Sequence, residues 1–180
     1  RLHIANSAAL LRSPAAHFNL VRPGLLLYGL DPRGRGARAP FRPAMSFLSK
    51  VLFMKEMRRG ETAGYGATYR FTRPSRIAIL PVGYADGYPR ALSNRARVLI
   101  RGRFCPVRGR VSMDSVIVDV TGVPAAREGD DAVFIGRQGA RRIAAEEIAR
   151  LAGTIPYEIV CGIGKGNARR YVDSKSSNER

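Results

Sequence analysis

Lysine is scarce in this 180-residue sequence: Lys50, Lys55, Lys165 and Lys175 are the whole complement, although lysine and arginine together number 31. The formal charge of +17 is therefore almost entirely arginine, spread through every segment. There is no dense basic run and no basic patch interleaved with aromatics, the layout expected of a groove for single-stranded nucleic acid. A bias towards arginine accounts for the charge better than a DNA site, and an anionic cofactor or an acidic partner surface can use part of it. Long apolar runs are missing as well. Hydrophobic residues reach 45% but lie in short pieces broken by Arg, Gly and Pro, far from the roughly 20 in a row that a membrane span needs. The only cysteines, Cys105 and Cys161, show no metal-ligand spacing, so reduced thiols in a cytoplasmic protein and no metal site are expected. The opening Arg1-Leu-His-Ile-Ala-Asn-Ser7 has neither an initiator Met nor the layout of a secretory signal. It reads as a cut from a longer chain.

Asn6 and Ser7, both good N-cap types, precede Ala-Ala-Leu-Leu and predict a helix start. Arg22-Pro-Gly-Leu25 then ends any helix, and residues 25–28 form a short apolar run. Residues 31–43, rich in Pro, Gly and Arg, have linker composition and mark a domain boundary. From Met45 onward strand-type runs recur at 47–54, 76–82, 96–100, 104–107, 115–120 and 132–135, separated by Gly-rich or charged turns. This spacing predicts a mostly antiparallel β domain, with a hairpin turning at Arg101-Gly102. One helix is expected at 144–151, where Ile148 and Leu151 share a face and Gly153 follows as a C-cap. The polar residues 174–180 are expected to be disordered.

The segment Ile79-Leu-Pro-Val-Gly-Tyr-Ala-Asp-Gly-Tyr88 is an apolar strand delivering a tyrosine into a turn bracketed by Gly83 and Gly87. Taken alone it is a tight turn with a packing tyrosine. The Gly83-Tyr-Ala-Asp-Gly87 sequence, however, resembles the signature of alanine racemases, and further segments match that family in order. These are Ala5-Asn-Ser7, Arg22-Pro-Gly-Leu25 with Tyr28-Gly29, Gly64-Tyr-Gly-Ala-Thr-Tyr69, Gly109-Arg-Val-Ser-Met-Asp114 and Ile135-Gly-Arg-Gln-Gly139.

The resemblance implies the tail end of a (β/α)8 TIM-type barrel in residues 1–36, a linker at 37–43, and a mostly β, antiparallel and barrel-like domain over 44–173. It implies pyridoxal 5′-phosphate as cofactor, alanine as substrate, interconversion of its L and D forms to supply D-alanine for peptidoglycan, and a homodimer whose active sites are shared across the interface. Racemisation removes a Cα proton from one face and returns it to the other, which suits two opposed acid–base groups. By the resemblance one is Tyr84, acting across the interface, and the other is the cofactor-bearing lysine, to which none of the four lysines here corresponds. Asn6 and Ser7, with the backbone of Gly24 and Leu25, fall on the phosphate-binding motifs, and Arg22 falls where an arginine faces the pyridine nitrogen. Met113 occupies a position of main-chain contact with the substrate carboxylate.

Near the C-terminus the chain departs from the family. Lys165 stands where a tyrosine or other polar residue is usual, Gly166 where an arginine is, and Ala168 where a proline is. Lys165 can still meet the phosphate as a point charge. Two other readings stay open at this level: a racemase for serine or a broader substrate set, and, from a different class, a basic β-barrel module that binds nucleic acid and loses affinity steeply with salt.

Overall fold

The computed structural model describes residues 1–33, 40–164, 166 and 168–172. Lys165, residues 37–39 of the expected linker and the expected disordered tail at 174–180 lie outside the described residues. Helix α1 (Ser7–Arg12) is followed by ten strands: β1 (Phe47–Lys50), β2 (Phe53–Met57), β3 (Thr62–Ala63), β4 (Tyr69–Arg70), β5 (Ser75–Leu80), β6 (Arg97–Ile100), β7 (Arg103–Pro106), β8 (Val116–Asp119), β9 (Asp131–Gln138) and β10 (Arg141–Ile143). Two further helices follow, α2 (Ala145–Ala152) and α3 (Pro156–Gly162).

The strands make a five-stranded sheet in the order β1-β9-β6-β7, with β10 also on β9, a three-stranded sheet β2-β5-β8, and a small β3-β4 pair. Every strand pairing is antiparallel, as the short, evenly spaced runs predict. The expected single run over 47–54 is in fact two strands in two sheets. Val51 donates to Asp130 O at 2.9 Å and so ends the β1 pairing, whereas Leu52 donates to Ile79 O at 2.9 Å and begins that of β2. An apolar run carries no mark of this switch, because both halves face the same core. A second corner joins the sheets at the antiparallel bridge between Val107 and Val118, where Arg108 donates to Ile117 O at 2.9 Å. With both corners in place the hydrogen-bonded path closes on itself, which is the barrel-like architecture anticipated.

Burial alternates along β8 but is continuous at 98–100 and 132–135, so β6 and the centre of β9 are covered on both sides. Their side chains share one cluster with Ile148 of α2 and Ile159 of α3. Arg97 fixes α2 to β6 by pairing with Glu147 at 3.0 Å while lying 3.7 Å over the Phe104 ring. The β6–β7 hairpin turns at Arg101 and Gly102, both at positive φ (49° and 70°), the two-residue primed geometry that matches strand twist. α2 ends at Gly153 in the left-handed region, as expected. α3 was not anticipated: its sequence, Pro-Tyr-Glu-Ile-Val-Cys-Gly, is rich in β-branched residues and has no side-chain cap. Pro156 at its first turn starts it, and burial of Ile159 and Val160 holds it.

At the N-terminal end, Asn6 Oδ1 accepts from Ala8 N–H and Ala9 N–H at 3.1 and 3.0 Å and caps α1. The apolar run 25–28 is a 3-10 turn, and Leu25 and Leu30 enter the β-domain core. Upstream of it, Leu2, Ile4 and Phe18 remain exposed.

Asp130 organises the loop before β9. It receives Nε and Nη2 of Arg101 at 2.6 and 2.9 Å and the Arg127 N–H at 2.9 Å. The Arg101 hydrogen bonds, ahead of the Arg127 N–H, hold its carboxyl below the usual carboxylate range. A lowered carboxyl contributes stability that is present above its unfolded value, about 3.9, and is lost as pH falls through the folded one. The urea midpoint of Asp130→Asn should therefore fall below that of the parent at pH 6, and the gap should close below about pH 4. A gap that stays constant down to pH 2.5 would rule out this role.

Candidate active site

Strand β5 leads through Pro81 and Val82 into a 3-10 turn at Tyr84–Asp86. The turn is stitched from both ends: Gly83 N–H donates to Asp86 Oδ2 at 2.8 Å, and Gly87, at φ 86°, donates to Tyr84 O at 3.1 Å. Its backbone also reaches the loop before β8, since Tyr84 N–H donates to Ser112 O at 3.0 Å and Ala85 N–H to Met113 O at 2.9 Å. Glycine is what permits this approach. A Cβ at Gly83 would lie 2.2 Å from Met113 O, and one at Gly87 would lie 2.3 Å from Gly162 O at the end of α3. The two glycines of the motif therefore serve two different contacts, one with each neighbouring segment.

The result is a cleft of about 410 Å³ in which Tyr84 and Met113, singled out from sequence, stand together with Tyr65, Arg90, Arg110 and Asp114. Both Tyr84 (44% exposed) and Met113 (59%) are open to the outside, and Tyr65 is more open still at 74%. Tyr65 and Arg110 lie inside two of the quoted motifs but received no role from sequence. A Cβ on Gly66 would stand 3.1 Å from Arg110 Nη1, so the guanidinium lies against the turn that carries Tyr65. The Gly-Tyr-Gly pattern was the only sequence signal for this, because the contact bridges residues more than 40 apart. The motif's second tyrosine behaves differently. Tyr88 is fully buried, edge-on to Phe134 with ring centroids 4.9 Å apart, and desolvation raises its phenol far above the ordinary value. Cys105 is likewise buried, which pushes its thiol up to about 12, whereas Cys161 is exposed.

The residues expected at the cofactor form a second group. Asn6 and Arg22 are joined by an isolated parallel bridge, with Arg22 N–H donating to Ala5 O at 2.8 Å. Ser7 is buried at 2% exposure, and its Oγ accepts from Gly24 N–H at 2.8 Å and Leu26 N–H at 3.4 Å. The Arg22 guanidinium bonds the His3 ring nitrogen and reaches the carbonyls of His3 and Ile4, both at 3.4 Å. Among the described residues it has no carboxylate partner. The 3-10 turn holding Leu25 starts at Gly24. Lys165, the remaining expected contact, lies outside the described residues. None of Asn6, Ser7, Arg22, Gly24 and Leu25 lines the cleft that holds Tyr84 and Met113. The two groups are separate within one chain.

A short N-terminal arm is thus set against a closed antiparallel β domain. The sequence model "Alanine racemase, C-terminal domain" matches residues 44–171, and "Alanine racemase, N-terminal domain" matches residues 1–32. The alanine racemase of Syntrophobacter fumaroxidans is 53% identical over 170 residues, covering 94% of this chain and 45% of that protein. That of Symbiobacterium thermophilum is 50% identical over 171 residues, with 94% and 45% covered. Among solved structures, alanine racemase from D-cycloserine-producing Streptomyces lavendulae superposes with a TM-score of 0.89 at 39% identity, over 95% of this chain and 45% of that one. The Bartonella henselae alanine racemase with covalently bound pyridoxal phosphate gives 0.86 at 36% identity, over 93% and 46%. The chain belongs to the alanine racemase family, and it spans about half the length of the relatives it matches.

If the two glycines are there to allow close approach, adding one methyl group should be costly at them and not at a glycine with open space around it. Gly83→Ala and Gly87→Ala should each lose about 2 kcal/mol or more in chemical denaturation, through overpacking and, at Gly87, positive φ. Gly122→Ala, with nothing within 4 Å of its Cβ, should change stability by less than about 0.5 kcal/mol. Equal effects at all three positions would remove the argument.

Proposed function

We propose that this chain supplies half-sites of a pyridoxal 5′-phosphate-dependent alanine racemase, which interconverts L- and D-alanine as a homodimer and so provides D-alanine for peptidoglycan. The observation that carries the reading is the separation of the two residue groups: a cofactor arm at 6–25 and a phenol-lined cleft at 84 and 113 that do not meet within one chain. A shared site unites them by placing the cleft of one subunit over the arm of the other. On this reading residues 1–36 are the barrel end and 44–173 the β domain. The free cysteines suit a reducing, cytoplasmic compartment.

The donor set of the arm fits the cofactor. Ser7 Oγ accepts two backbone N–H bonds and so keeps its own hydrogen for a phosphate oxygen. The N–H of Leu25 and the cap at Asn6 belong to the same loop pair, and Lys165 adds a point charge by its sequence position alone. When bound, the pyridoxal ring lowers the cost of negative charge at the substrate Cα. Arg22, surrounded by a ring nitrogen and carbonyls rather than acids, presents a permanent cation to the pyridine nitrogen. It disfavours protonation there and so limits the lifetime of charge on the ring, which favours racemisation over transamination.

In the cleft, the Met113 main-chain N–H orients the substrate carboxylate while its carbonyl is held by Ala85. The Tyr84 phenol exchanges a proton with Cα on the L face. The opposite face needs the cofactor-bearing lysine, to which no lysine here corresponds, so this chain requires the lysine-bearing segment to turn over. Tyr65 is a second reading for the base, favoured by its greater exposure and by the guanidinium of Arg110 against its turn, a cation suited to stabilising a phenolate. Substrate breadth, alanine against serine, depends on pocket walls beyond these residues.

In the chain joined to a lysine-bearing barrel segment, Tyr84→Phe should slow deuterium uptake from heavy water into L-alanine by about a hundredfold or more, with exchange into D-alanine partly retained. Tyr65→Phe is measured beside it. A loss confined to Tyr65→Phe transfers the role to Tyr65, and parent-like exchange in both variants refutes a phenolic base in this cleft.

A further inference from the structure

A cleft of about 390 Å³ that shares no lining residue with the tyrosine cleft is walled by Phe41, Arg42, Ser46, Arg137 and Arg142, among others. Its lining includes three arginines and no acidic residue. Two of these are direct cross-strand partners: Arg142 of β10 faces Arg137 of β9 in the antiparallel register. Residues opposed in this way project to the same side of the sheet, where like charges destabilise the pair. Outside the cleft, Arg76, Arg97, Arg101, Arg108 and Arg127 have acidic partners. Among the described residues none of Arg42, Arg137 and Arg142 has such a partner. The proposed racemase chemistry uses none of them.

We infer that this cleft is a binding site for a compact phosphate-bearing anion of the inorganic phosphate or diphosphate type. The guanidinium forks of Arg137 and Arg142 are spaced by the strand register to take two oxygens each from one ligand. Arg42, on the segment leading into β1, contributes a third cation, and the Ser46 hydroxyl a neutral donor. Phe41, Pro43 and Met45, also in the lining, reduce the water that would otherwise screen these charges. An anion held here offsets the repulsion of the opposed pair, so binding and local stability are coupled.

The test is calorimetric titration and thermal melting of the 180-residue chain with sodium pyrophosphate at physiological chloride, using the parent, Arg137→Gln, Arg142→Gln and, as an exposed control, Arg59→Gln. One saturable site is expected. Its affinity should fall at least about tenfold in Arg137→Gln and in Arg142→Gln and stay unchanged in Arg59→Gln. Without pyrophosphate, each cleft variant should melt above the parent, and the rise in Tm that pyrophosphate gives the parent should be absent from both. Equal binding in all four proteins, no binding in chloride buffer, or cleft variants that melt below the parent without ligand would overturn the proposal. So would a duplex oligonucleotide that binds through Arg137 and Arg142 more tightly than pyrophosphate.

Discussion

The backbone of residues 83–85 lies directly on the carbonyls of Ser112 and Met113, and the candidate site depends on that one approach. Two N–H···O bonds of about 3 Å make it, and the absence of a side chain at position 83 allows it. The contact ties the end of β5 to the loop before its neighbour β8, so the sheet that positions Tyr84 also positions Met113. Gly87 then brings α3 against the same turn. A short segment with no regular pairing of its own is held from two sides by backbone contacts. Such a turn keeps its geometry when exposed.

Electrostatics divides the arginines into groups with different work. Some anchor elements of the β domain: Arg97 binds α2 to β6, and Arg101 fixes the loop before β9 through Asp130. Others line clefts and, among the described residues, have no acidic ion-pair partner: Arg90 and Arg110 at the tyrosine cleft, and Arg42, Arg137 and Arg142 at the separate cleft. The +17 charge is thus partly structural and partly concentrated where an anion can meet it.

Much of this was legible in the sequence because it rests on local chemistry. The Arg101-Gly102 hairpin, the Asn6 cap of α1 and the Gly153 stop of α2 follow from residues within a few positions of each other. Seven of the strands were readable from short apolar runs, and the antiparallel class from their spacing, whereas the short β3, β4 and β10 carry too few apolar residues to be read. Where the sequence misled, the cause was tertiary. The run at 47–54 divides because two different partners compete for adjacent N–H groups at Val51 and Leu52. α3 forms against its β-branched composition because burial of Ile159 and Val160 outweighs propensity. The partners of Tyr84 in its cleft, Tyr65 and Arg110, come from segments distant in sequence, and only folding shows that they share one cleft. That the arm and the cleft stay apart within a chain was implied only by the family resemblance, which gave Tyr84 a role across an interface.

That separation is the central claim, and subunit complementation tests it most directly. In chains completed by the lysine-bearing segment, one inactive variant carries Ser7→Ala with Arg22→Ala, and the other carries Tyr65→Phe with Tyr84→Phe. Refolded together in equal amounts, they form mixed dimers in which one site takes both damaged halves and the other takes both intact ones. Shared sites predict recovery of about one quarter of the parent racemase activity from the random mixture. Activity no higher than that of either variant alone would mean that arm and cleft serve the same site within one chain, and would contradict the account.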